Sequence, residues 1–159
     1  MFILQLILYC ALFTLVVRLA AGRQALNVLF FNPRPYQEEA FCRKLSDRET
    51  TARRRGRFMP LFFAVMLTAL VLIIGGWNGV RDFLPAYGQA LLFLEVMNWY
   101  DGIVIDRLWV GRSRFWVIPG MEGVPYVQTW RQVLKKRGVL TLIWVAGAAL
   151  VAGLTVLIF

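Results

Sequence analysis

Three acids and an amide stand in or at the end of one apolar stretch, Leu91–Asp106: Glu95, Asn98, Asp101 and Asp106. With the residues before it, the stretch is long enough to cross a bilayer. Ionisable groups in a membrane span are costly to bury, so each is a functional-site hypothesis by default. An α-helix advances by roughly 100° and 1.5 Å per residue. Asn98 then falls at about −60° from Glu95, Gly102 at about −20° and Asp106 at about +20°, which makes one stripe. Asp101, at about −120°, borders the stripe on the Asn98 side. Gly102 leaves a gap that admits a neighbouring helix, water or a ligand.

Height separates these groups. Glu95 and Asp106 lie about 16 Å apart along the axis, too far to bind one metal ion or to work as an acid–base pair. The other spans carry no carboxylate, so neither a metal nor a cofactor is expected. Glu95 lies near mid-membrane with no cation in reach, as a proton carrier would, or as a structural acid hydrogen-bonded to Gln89 or Thr68. Arg18, three residues before the end of the first span, sits at a depth similar to Asp101. The sequence predicts an Arg18–Asp101 pair, or failing that Arg18–Asp106, with headgroup snorkelling of Arg18 as the alternative.

The elements that hold this stretch are apolar runs. Of 159 residues, 59% are hydrophobic, gathered into blocks of membrane-spanning length. The expected fold is all-α: one integral membrane domain, a four-transmembrane-helix bundle with spans at about 2–21, 59–80, 84–105 and 139–159. In the first, positive charge follows the run instead of preceding it, which favours a retained helix over a cleaved signal peptide. Pro60 is expected in the first turn of the second span, where proline is tolerated. Small residues four apart in the last span, Ala148 with Ala152 and Ala149 with Gly153, permit close helix contact.

Charge sets the orientation. Sixteen of the eighteen Lys and Arg residues lie in two segments, 22–58 and 106–138. This positive-inside pattern puts both basic loops on the cytoplasmic side of a bacterial inner membrane and both termini outside. Such segments meet anionic headgroups, so membrane lipids are the expected partners and nucleic acid is not. In the first loop an exposed helix is expected from Tyr36 to about Arg55. In the second, Trp109, Phe115, Trp116, Tyr126 and Trp130 alternate with arginines, as in a segment lying at headgroup level. Residues 126–137 suit a short basic helix leading into the last span. The chain has no histidine, which excludes His-dependent catalysis, and two cysteines without CxxC spacing, which disfavours a membrane thiol oxidoreductase.

Residues Asn98–Trp109, with Ile118–Gly123 and Tyr126, resemble a pattern in small bacterial four-helix membrane proteins, some loosely labelled permease-like. The resemblance implies that Asp101, Asp106, Pro119, Gly120 and Glu122 form one cytoplasmic-side feature; it implies no activity. The first functional expectation is a small polytopic inner-membrane protein, transporter-like or an accessory subunit, alone as a homo-oligomer or within a larger membrane complex. The alternative is a small membrane enzyme acting on a lipid or isoprenoid at the cytoplasmic interface. Its candidates are Asp101, Asp106, Glu122, Arg112 and Arg114. A purely structural subunit is the third.

Overall fold

The computed structural model describes all 159 residues, and every regular element is helical. Helix α1 (Phe2–Ala21) ends at Gly22, whose φ of 57° is one that glycine adopts without strain. A 3₁₀ turn (Ala25–Phe31) leads to α2 (Arg34–Cys42), and α3 (Arg48–Val71) continues as a π-helical turn, Leu72–Trp77. Helix α4 (Phe83–Tyr100) continues as a π-helical stretch, Asp101–Trp109, and ends at Arg112. An irregular segment with one 3₁₀ turn (Arg114–Trp116) precedes α5 (Trp130–Ile158).

Three of these helices are long and apolar enough to cross a membrane: Phe2–Ala21, Arg48–Trp77 and Trp130–Ile158. They leave large apolar side chains such as Ile3, Leu15, Phe63, Leu142 and Leu150 exposed, a surface suited to lipid rather than water. Helix α4, the remaining expected span, is not among them, because Gln89, Glu95 and Asn98 interrupt it. It packs most extensively on α5 and also on α1.

Two boundaries differ from the sequence expectation. The exposed helix expected over 36–55 is broken at 43–47, where Lys44 takes a left-handed φ of 56°. Asp47 then caps a new helix by accepting the Thr50 backbone N–H at 2.7 Å, a bond that holds its carboxyl below the usual carboxylate range. Helix α3 therefore runs unbroken from the basic loop into the apolar run. Pro60 lies well inside it instead of in its first turn. The carbonyl it leaves unpaired belongs to Gly56 on an exposed face, where solvent or headgroups satisfy it. At the other boundary, Thr129 and Gln132 form a reciprocal capping box, so α5 begins at Trp130 and the basic stretch belongs to the same helix as the final apolar run.

Close approach of α4 and α5 rests on small residues. Ala86, Ala90, Ala148 and Ala152 are all fully buried, so the backbones meet without intervening side chains. Ala149 is only partly buried and Gly153 faces open space, which assigns the packing to Ala148 and Ala152. Around this seam Phe93 takes the edges of Phe2 and Tyr9 at centroid distances of 5.3 and 5.6 Å. On the loop side, buried Tyr36 accepts the Ile118 N–H at 3.5 Å and packs on Tyr126. Burial pushes its hydroxyl above the ordinary tyrosine value. Ala152→Leu is expected to cost about 1–3 kcal/mol by overpacking, read as a lowered melting temperature in detergent, whereas Gly153→Leu leaves melting nearly unchanged.

Candidate functional site

The expected acids are brought together by a residue that was not among the site candidates. Arg137 of α5 is 2% exposed in its side chain, and its two terminal nitrogens form ion pairs with Asp101 Oδ2 and Asp106 Oδ2, each at 2.6 Å. Asp101 and Asp106 keep 23% and 17% exposure. Straight α-helical geometry would turn these carboxylates about 140° apart. They fall instead in a π-helical stretch, whose bonds run from i to i+5, so residues five apart stand above one another. The wider turn therefore makes two aspartates into one clamp. Gly102 is the third part of the fit. A Cβ there would lie 2.8 Å from Arg137 Nε and about as close to its stem. The gap left by Gly102 is filled by arginine.

Asn98 and Glu95 join from above. Asn98 is 1% exposed. Its amide donates to the Arg137 carbonyl at 3.1 Å and to Thr141 Oγ1 at 3.3 Å, while its oxygen accepts from Arg137 Nη1 at 3.5 Å. Thr141 Oγ1 donates to Glu95 Oε2 at 2.7 Å, so the partner of Glu95 is Thr141, not Gln89 or Thr68. Glu95 Oε1 is buried with no hydrogen-bond partner. Below, Asp106 also receives Lys136 Nζ at 3.3 Å and Gln128 Nε2 at 3.4 Å. Arg107 holds that edge by donating to the Gln128 carbonyl at 2.6 Å while stacked on Trp130. A hydrogen-bonded chain thus runs from Glu95 to the loop end of α4.

The remaining candidates lie elsewhere. Arg18 pairs with neither Asp101 nor Asp106. It is exposed, donates to the Gly22 carbonyl at the end of its own helix and lies 4.4 Å from the Phe115 ring centroid. Matching depth in two helices does not make their side chains face each other. Glu122 sits in the exposed turn, where the backbone N–H groups of Glu122 itself and Gly120 hold its carboxyl below the ordinary range. Arg43 donates to the Gly120 carbonyl at 2.6 Å, tying that turn to α2. Arg112 and Arg114 are exposed and make no ion pair.

A signal for Arg137 was present. Val133, Arg137, Ala148, Val151, Ala152 and Thr155 are the buried positions of α5. Their separations of three, four and eleven residues, close to whole helical turns, mark one helical face. Counting Lys135-Lys136-Arg137 as loop charge hid it. A second polar cluster, outside the predicted set, sits near the other end of α4. There Asn78 bonds Gln5 at 2.6 Å and Gln89 at 2.8 Å.

Alongside the clamp lies a cavity of about 230 Å³, lined by Asn98, Asp101, Asp106, Lys136 and Arg137 at one end and by aromatic and aliphatic side chains elsewhere. No family model, curated protein or solved structure matches this chain.

Breaking a buried ion pair from one side strands a charge, at about 3–5 kcal/mol. Arg137→Ala is expected to destabilise the protein by that amount in detergent unfolding. The triple change Asp101→Asn, Asp106→Asn, Arg137→Met removes charge from both sides and recovers most of the loss. In double-mutant cycles, Arg137→Ala and Asp101→Ala couple strongly. Arg18→Ala and Asp101→Ala add within about 0.5 kcal/mol.

Proposed function

We propose that this is a polytopic protein of the bacterial inner membrane, with α4 as a fourth span and both termini outside, acting as a transporter-like or accessory subunit. The observation that carries this reading is the hydrogen-bonded chain from Glu95 through Thr141, Asn98 and Arg137 to Asp101 and Asp106. A buried polar group without a partner is costly, and intramembrane acids concentrate on ion and proton pathways. Glu95 leaves one oxygen unbonded beside this chain, a place to take up a proton. The aspartate clamp joins that acid to the basic cytoplasmic edge. The charge pattern of the loops and the resemblance to small four-helix bacterial membrane proteins agree with it. Arg112, Arg114 and Glu122 do not converge on the aspartates, so the interfacial-enzyme reading draws no support from them.

The test is proton movement in reconstituted vesicles under an imposed pH gradient. Wild-type protein is expected to speed decay of the gradient. Glu95→Gln, close to the protonated acid in shape, abolishes the effect without lowering the melting temperature. Equal decay with wild-type and Glu95→Gln protein, or with empty vesicles, sinks the proton-carrier role.

A further inference from the structure

We infer that the cavity beside Arg137 holds an acyl chain of a membrane glycerolipid, with the ester carbonyl at its polar end. This goes beyond the proton-carrier reading and does not depend on it. Thirteen of the eighteen residues lining the cavity are hydrophobic. Phe13, Phe31, Phe58, Phe62 and Met97 form much of the apolar wall. At about 230 Å³ it exceeds the roughly 150 Å³ apolar cavities that take up benzene. Phe63, on its rim, is 51% exposed on the apolar outer surface of α3, the side from which a bilayer chain would enter.

Hydrogen bonding defines the polar end. Three buried N–H donors have no partner: Trp116 Nε1, Trp144 Nε1 and Arg137 Nε. All three belong to residues lining this cavity. Unsatisfied buried groups are rare in native proteins, and an oxygen acceptor entering beside these three residues would offer their donors a partner. The charges say which kind. Asp101 and Asp106 balance Lys136 and Arg137 along the wall, so no net positive field attracts an anion. An uncharged oxygen acceptor attached to a hydrocarbon chain fits both facts, and the ester of an acyl lipid has that chemistry.

The experiment is photocrosslinking in vesicles of phosphatidylcholine bearing a diazirine on one acyl chain, with adducts mapped by peptide mass spectrometry. Adducts are expected to concentrate on Phe58, Phe62 and Met97. The ether-linked analogue, which lacks the carbonyl, is expected to give about fivefold fewer, the effect of one hydrogen bond. Leu140→Trp fills the cavity and removes the adducts. Trp144→Phe keeps a ring but loses a donor, and lowers the yield from ester lipid toward that from ether lipid. Melting curves confirm that each variant is folded. Adducts spread evenly over bilayer-facing residues such as Leu142 and Leu150 overturn the inference, as do equal yields from ester and ether lipids. The adduct map is read without any flux, and Glu95→Gln leaves it unchanged, so its failure is distinct from failure of the proton-carrier role.

Discussion

Burial of one guanidinium organises the contact between α4 and α5. Removing an ion from water costs several kcal/mol after relaxation, and mutual attraction repays this only with close geometry and further hydrogen bonds. Arg137 meets both conditions through two carboxylates at 2.6 Å and the amide of Asn98. Each condition in turn constrains the backbone. Two aspartates five residues apart reach one arginine because α4 widens into π turns at Asp101. The arginine stem fits because residue 102 has no side chain. The helices come near enough because alanines line their seam.

The same economy of polar groups explains why α4 differs from its neighbours. Helices α1, α3 and α5 turn large apolar side chains outward, whereas α4 carries Gln89, Glu95 and Asn98 within its apolar run. In a medium that offers no hydrogen bonds, such groups must find partners within the protein. Glu95, Asn98 and the two aspartates find them on α5, and Gln89 finds Asn78. The polar groups of this helix are therefore met chiefly by α5, the helix it packs on most extensively. The irregular segment after it is tied down by contacts from α2, through Arg43 and Tyr36, which leaves the cavity beside the clamp walled on several sides.

Much of this was legible residue by residue. The long apolar runs specify helices by themselves, since a bilayer-length block of Leu, Ile, Val and Phe needs no partner to declare its kind. The importance of Glu95, Asn98, Asp101 and Asp106 was equally plain, because polar groups in such a run must be satisfied somewhere. The partners were not legible. Arg18 and Arg137 look alike in a list of charges, one three residues before the end of an apolar run and the other just before the start of one. The difference is the face each occupies once helices pack: Arg18 is exposed, while Arg137 continues the buried face of Val133, Ala148 and Ala152. Helix ends were similarly hidden. Asp47 and Thr129 act as caps only where the chain turns into them, and Pro60 is tolerated mid-helix because Gly56 is exposed.

The sequence by itself determined composition, hydropathy blocks, charge asymmetry and the positions of the acids in the apolar stretch 91–106. These are properties of single residues and their spacing. Only the tertiary structure decided that Asp101 and Asp106 act as one clamp, that Arg137 is its cation and that Gly102 makes room for it. The physical reason is that the i to i+5 winding at Asp101 departs from the standard helical period. Period and spacing alone set those two carboxylates on different faces, and the cost of leaving an arginine unpaired in the interior is what brings them to the same one.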